Sequence, residues 1–290
     1  MSRIYDALRK AKLETRAGKG DEISSDQPGL AEQAAPYPPD STGRIRIRVR
    51  RVTCRPRPED HIISSGKDGA VGSEKYRVLR HRIQQIRQQR QLKKLLITSP
   101  LPKEGKTLSA INVAVAFSLL RSRVLLIDAD LRNPTVHRML GIPAMRGLVE
   151  CLKGEIELED VLQYLEPLGI YHFPAGRPAP DSGELLQRPK LRELMDRLDQ
   201  VFDWIVIDSA PVNLFADAPA LATLVDGVLL VVRSGQTPSE AVQQCLDALG
   251  GSFMAGVILN AHDESTGEMN YAYAYNYANR SSGGKTAART

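Results

Sequence analysis

The sequence predicts an α/β fold built on a mostly parallel sheet flanked by helices on both faces. Three observations predict it. Strand-like and helix-like segments alternate through the middle of the chain. The strand-like segments are unbroken Val/Ile/Leu runs without polar alternation, the pattern of strands covered on both sides. The first of them runs directly into a Gly-Lys-Thr triplet that opens a helix.

Taken in order, KKLLITS (93–99) reads as the first core strand and Lys106 to Leu120 as the helix after it. RVLLIDAD (123–130) is a second strand and GIYHFPAG (169–176) a shorter one. DWIVIDSAP (203–211) and DGVLLVVRS (226–234) read as buried strands, with MAGVILNAH (254–262) as the last. The core is expected over 72–262. Before it, residues 2–14 place Ile4, Leu8 and Ala11 on one face of a short amphipathic helix, within a first segment 1–14. Residues 15–71 read as a flexible linker, Gly-, Ser- and Pro-rich over 15–43. It contains RIRIRVRRV, whose period of two predicts an amphipathic strand, or an extended basic segment if nothing pairs with it. Residues 263–290 are polar, Tyr-rich and Gly/Ser-rich and read as a mobile tail.

Composition narrows the function. The chain has 290 residues, 42% hydrophobic and 25% charged, the balance of a protein with a buried core. No run of eighteen uncharged apolar residues occurs, and the N-terminal MSRIYDALRKAKLE lacks the apolar stretch of a secretory signal. Cys54, Cys151 and Cys245 lie far apart, which suits a reducing compartment and neither a disulfide framework nor a zinc site. The formal charge is +5, but seven arginines fall between Arg44 and Arg57; without them it is −2. The basic character is local, so no nucleic-acid partner is expected. That segment suits anionic lipid, a partner's acidic face or a solvated linker.

Three motifs carry the chemistry. SPLPKEGKT ends in the Gly105-Lys106-Thr107 of a P-loop, with Pro100 where the first glycine of the pattern stands. In such a P-loop NTPase-like fold, the backbone N–H groups of Lys103, Glu104, Gly105, Lys106, Thr107 and Leu108 can cradle phosphate. Lys106 would reach the β- and γ-phosphates and Thr107 would ligate Mg²⁺. Asp128 and Asp130, in LLIDADLRNP, stand at the next strand's end, 22 residues after Lys106 in the case of Asp128. Carboxylates beside a phosphate loop repel it unless a cation joins them, so Asp128 is a candidate Mg²⁺ ligand. Asp208, in VIDSAP, has the Walker-B position and is the third metal candidate. Lys106, Asp128, Asp130 and Asp208 are the candidate catalytic residues, with ATP and Mg²⁺ as the cofactors.

The set KEGKT, LLIDADLRNP and VIDSAP resembles the bacterial tyrosine autokinases of capsular and exopolysaccharide biosynthesis, relatives of the partitioning-type P-loop ATPases. The likeness extends from about Ser73 to the C-terminus. Glu74, Arg77 and Arg80 fit that family's ExxRxxR oligomer-forming helix, PDSGELL (180–186) its loop, GVILN (256–260) its last core strand, and Asp217 a usual acid. Lys103 stands where the family often has Gly, and Asp208-Ser209-Ala210-Pro211 replaces its usual Asp-Thr-Pro-Pro. The resemblance implies that Asp128 and Asp130 help hold Mg²⁺ and accept a tyrosine proton. It implies autophosphorylation at Tyr271, Tyr273, Tyr275 and Tyr277, a homo-oligomer exchanging tails in trans, and a membrane polysaccharide chain-length or export protein as activator. A tyrosine phosphatase as antagonist and a cytoplasmic location at the inner face of the plasma membrane follow from the same resemblance.

Three other functions compete. A nucleic-acid binder acting through Arg44–Arg57 would show DNA binding that falls steeply with salt. A septum- or chromosome-partitioning ATPase would carry a lysine five positions before Lys106, where this chain has Leu101. A non-catalytic ATP-dependent scaffold for a polysaccharide-export protein would bind nucleotide and leave the tail unmodified.

Overall fold

The computed structural model describes residues 49–63 and 71–261. Among them, eight strands form one sheet: β1 (Arg50–Thr53), β2 (Lys94–Thr98), β3 (Val124–Ala129), β4 (Gln163–Glu166), β5 (Ile170–Phe173), β6 (Trp204–Ser209), β7 (Gly227–Arg233) and β8 (Met254–Asn260). Their spatial order is β1-β4-β5-β3-β6-β2-β7-β8. Every neighbouring pair is parallel except β4 and β5, which are antiparallel.

Alternate residues of the central strands feed two separate cores, which is why these strands carry no polar alternation. Leu95, Ile97, Leu126, Val206, Leu229 and Val231 point to one face. There they meet α1 (Val71–Gln89) and α2 (Lys106–Ser118). Leu96, Leu125, Ile127, Ile205, Ile207 and Leu230 point to the other. That side is covered by α4 (Leu148–Lys153), α5 (Ser182–Leu185), α6 (Pro189–Asp199), α7 (Asp217–Ala222) and α8 (Ser239–Leu249). The remaining helix, α3 (Val136–Met139), follows β3. In α2, ten of thirteen residues are buried, as expected of a helix sandwiched between sheet and α1. Phe117 at its end stacks on Trp204, ring centroids 4.1 Å apart.

The expected strands at 93–99, 123–130, 169–176, 203–211, 226–234 and 254–262 each contain one observed strand, and α2 stops two residues short of the expected Leu120. Two strands fall elsewhere. Arg50–Thr53, inside the stretch read as linker, pairs with β4, so of the two readings of the Arg-rich run the described part follows the paired one. β4 itself had no periodic signal, being four residues (QYLE) whose burial comes from its neighbours β1 and β5. No described helix is long and apolar enough to cross a membrane. The amphipathic helix at 2–14, Arg44 to Arg48, and the tail tyrosines lie outside the described residues.

Candidate nucleotide and phosphoryl-transfer site

The site forms where β2, β3 and β6 end side by side. In a parallel sheet the carboxyl ends of the strands form the ligand crevice. β2 continues through Ser99 into the loop 99–105 and then α2, whose first residue is Lys106. The loop has left-handed backbone at Lys103 (φ 65°) and at Gly105 (φ 92°). Glycine takes that conformation without penalty; a side chain on an L-residue costs roughly 1–2 kcal/mol there. Lys103 bears this cost, which gives a physical reason for the glycine that the resemblance expects at its position. At Gly105 there is a second constraint: an added Cβ would lie 2.0 Å from Asn260 Nδ2.

The loop is held from behind. Asn260 Nδ2 donates to the Glu104 carbonyl at 2.9 Å, and the Thr237 hydroxyl donates to Glu104 Oε1 at 2.6 Å. Arg233 Nη1 donates to the Lys103 carbonyl at 3.4 Å. The Glu104 side chain is therefore turned into the protein, and burial raises its pKa. Lys103 is exposed at the loop's outer turn. The side chains of these two do not converge on the acids, which leaves only their backbone to face an anion.

Four side chains do converge. Lys106 Nζ lies 2.9 Å from Asp130 Oδ2. Burial acts to discharge Lys106, but the fields of Asp208, Asp130 and Asp128 outweigh it and hold the ammonium charged. Asp128 and Asp208 face each other across the β3–β6 ladder. Asp128 Oδ1 accepts the Asp130 N–H and Oδ2 accepts the Val136 N–H, both at 3.3 Å. Burial first, then the charges of Asp208 and Asp130, hold its carboxyl well above the usual range. Burial also pushes Asp208 up to about 7, against the pull of Lys106 and with the Thr107 hydroxyl favouring the ionised form. Neither Asp208 oxygen makes a hydrogen bond of full geometry among the described residues, although both are buried. Such an orphaned buried carboxylate is costly unless a cation or donor joins it.

This arrangement fits Mg²⁺ with a triphosphate. Among the described residues neither Asp208 oxygen has a hydrogen bond of full geometry, and the Thr107 hydroxyl stands beside this carboxylate, 3.2 Å from the Thr135 hydroxyl. No cluster of three or more His, Cys, Asp or Glu able to hold a metal occurs among the described residues. Mg²⁺ ordinarily keeps waters and takes substrate phosphates, so a few protein ligands suffice. Asp128, with an N–H on each oxygen, is better placed to orient the 128–136 turn than to be a principal ligand.

Around this centre lies a network invisible to motif spacing. The Arg132 guanidinium grips buried Asp217 with two hydrogen bonds, Nε to Oδ2 at 3.1 Å and Nη2 to Oδ1 at 3.3 Å. The Ser182 hydroxyl donates to the same Asp217 at 2.6 Å, and Arg132 Nη1 reaches the Pro180 carbonyl. Phe215 stacks on Arg132 at 4.2 Å. Three segments singled out in the sequence, LRNP, PDSGELL and the acid at 217, are thus one joint beside the site. On α1, Glu74 and Arg77 are exposed and paired with each other, whereas Arg80 is half-buried and donates to the Ala116 carbonyl of α2. The triplet does not present one uniform exposed face.

No protein-family model matches the chain. It is 34% identical over 215 residues to the tyrosine-protein kinase YwqD of Bacillus subtilis, across 72% of this chain and 91% of that one. The chain belongs to the bacterial tyrosine-kinase family. Solved structures agree with this fold. The kinase domain of the Escherichia coli tyrosine kinase ETK superposes with a TM-score of 0.65 at 28% identity, covering 71% of this chain and 84% of that one. The chimerical protein CapA2B2 gives 0.66 at 26%, covering 72% and 92%. A further relative, the succinoglycan biosynthesis transport protein ExoP of Rhizobium meliloti, is 37% identical over 174 residues. That match spans 58% of this chain and 22% of ExoP. The tyrosine kinase described here thus has counterparts both as separate chains and as a portion of a much longer one.

Proposed function

We propose that this kinase transfers the γ-phosphoryl group of ATP to Tyr271, Tyr273, Tyr275 and Tyr277 of its own family of chains, in trans, and thereby regulates exopolysaccharide or capsule synthesis and export. The observation that carries the reading is the Lys106–Asp130 pair beside an unpartnered, buried Asp208 at a P-loop. A lysine neutralised by an acid within the protein is poised to exchange that acid for phosphate.

In this reading the backbone N–H groups of the loop and the N-terminus of α2 bind the phosphates, and Lys106 turns from Asp130 to the β- and γ-oxygens. Thr107 and Asp208 would hold Mg²⁺, with Asp128 behind them, and the bound metal would supply neutralisation of charge on the phosphates. Asp130, released from Lys106, receives the phenolic proton as the tyrosine oxygen bonds to phosphorus and the bond to ADP breaks. Positioning and charge neutralisation supply most of the barrier reduction in such a transfer.

Exposed Glu74 and Arg77 support a protomer interface on α1, with Arg80 anchoring the helix from inside. The likeness to ExoP and to the CapA2B2 chimera supports a membrane polysaccharide chain-length or export protein as activator, which would recruit a cytoplasmic kinase to the inner face of the plasma membrane. A tyrosine phosphatase would reset the tail. Incubation of the purified full chain with ATP and Mg²⁺, followed by a mass-spectrometric phosphotyrosine map, tests the proposal. Phosphate on the 271–277 tyrosines is expected. Nucleotide binding with no modified tyrosine would favour the scaffold.

A further inference from the structure

The two edges of the sheet are treated differently. β1, at one edge, carries exposed Arg50 and Arg51, and Arg51 is paired with Glu166. Charges of this kind discourage another strand from adding to an edge. β8, at the other edge, is MAGVILN: seven residues with no charge and no proline. Its Val257 and Leu259 are 55% and 66% exposed, on the face opposite Ile258, which packs into the core. A long, uncharged edge with exposed aliphatic side chains is a template for one more strand.

The sequence that follows carries the residue pattern of a matching strand. Tyr271-Ala-Tyr273-Ala-Tyr275-Asn-Tyr277 alternates without a break, so an extended backbone puts all four phenols on one face. Tyrosine favours strands and pairs well across them with aliphatic and β-branched side chains. The connection 260–270 is long enough to turn the chain back, since loop closure grows only slowly more costly with length. We infer that the segment Tyr271–Tyr277 of the same chain docks antiparallel on the edge of β8 that is open among the described residues, laying its tyrosine row against Val257 and Leu259. Parity restricts the register to steps of two, and the shortest connection selects Tyr271 opposite Leu259 and Tyr273 opposite Val257; a one-residue slip would turn every tyrosine to the other face. The docked tail is a resting form, in which the phenols are held away from the acids of the site. A consequence rests on the kinase reading above: once the undocked tail is phosphorylated, phosphates of about −1.5 to −2 each, lined up on one face, repel one another and keep the tail from docking again. The docking does not require it.

The test is therefore made on the full chain without ATP, so that its failure is separate from failure of phosphoryl transfer. In the double variant Leu259→Cys/Tyr271→Cys, mild oxidation with copper–phenanthroline should form an intrachain disulfide. The parity-broken pair Leu259→Cys/Ala272→Cys places the thiols on opposite faces and should cross-link roughly tenfold less. The native cysteines are buried and leave the readout clean. Hydrogen exchange gives a second measure: the β8 amides should be protected in the unsubstituted chain and exchange faster in Tyr273→Pro. Equal cross-linking of the two pairs overturns the inference, as does unchanged β8 exchange in Tyr273→Pro. So does a disulfide that appears only between chains, which would assign the edge to a second copy.

Discussion

Asp128 and Asp208 are register partners across the β3–β6 ladder, two buried acids held opposite each other with one ammonium, Lys106, in reach of their fields. Such a pair is relieved either by a proton, which is why both carboxyls titrate high, or by a cation that completes them. Asp208→Asn keeps the shape and removes the charge. It should leave the fold as stable as, or slightly more stable than, the parent without nucleotide, and weaken Mg²⁺-dependent ATP binding at least about tenfold. Calorimetric titration with and without Mg²⁺ checks both halves.

The loop backbone gives a second prediction. Gly105→Ala places a Cβ against Asn260 and forces φ 92° on an L-residue. The variant should lose roughly 1–3 kcal/mol of loop stability and most of its nucleotide affinity. Adding Asn260→Ala removes the clash and leaves the strain, so affinity should not return to the parent value. Nucleotide titrations of the two variants decide it.

A third prediction concerns the joint. Asp217 is fully buried and accepts from Arg132 and Ser182. Asp217→Ala leaves a guanidinium and a hydroxyl without their acceptor and should cost about 3 kcal/mol in denaturant unfolding. Exposed Arg77→Ala should cost less than about 0.5 kcal/mol, whereas Arg80→Ala, which loses the bond to Ala116, should cost about 1 kcal/mol. If α1 is an interface, Arg77→Ala should lower the assembled mass in light scattering without a matching loss of stability.

Stability should also fall in acid for a reason remote from the site. His172 on β5 is buried, with Nδ1 3.0 Å from Gln163 Oε1 and Nε2 without a hydrogen-bond partner among the described residues. Burial pushes its pKa from 6.5 down to about 3. The unfolded chain therefore binds a proton below pH 6.5 that the folded chain refuses, so this contribution is intact above 6.5 and is lost as pH falls toward 3. At pH 5 the loss is about 2 kcal/mol. His172→Gln should flatten that part of the pH dependence in unfolding experiments at pH 5 and 7, whatever its effect at pH 7.

Much of this was legible because the catalytic elements are local. Lys106 follows its strand by a few residues, and Asp128, Asp130 and Asp208 each end a Val/Ile/Leu run, so position in the chain gives position at the sheet edge. β4 was not legible, because QYLE becomes a strand only through pairing with β1 and β5. The Arg132–Asp217 bond spans 85 residues and the Asn260–Glu104 bond 156; no periodicity encodes such contacts. The sequence places the Glu104 backbone N–H in the phosphate loop; that its side chain turns inward and locks the loop to Thr237 is decided by the backbone turn at 103–105.

The central claim is that Lys106 delivers phosphate to the tail. The most direct measurement compares incorporation of radiolabelled γ-phosphate from ATP and Mg²⁺ into purified full-length parent and Lys106→Met chains, with tryptic mapping of the label. The account predicts label on the peptide containing Tyr271 to Tyr277 in the parent and at least about a hundredfold less in Lys106→Met. Equal labelling of the two chains would contradict it.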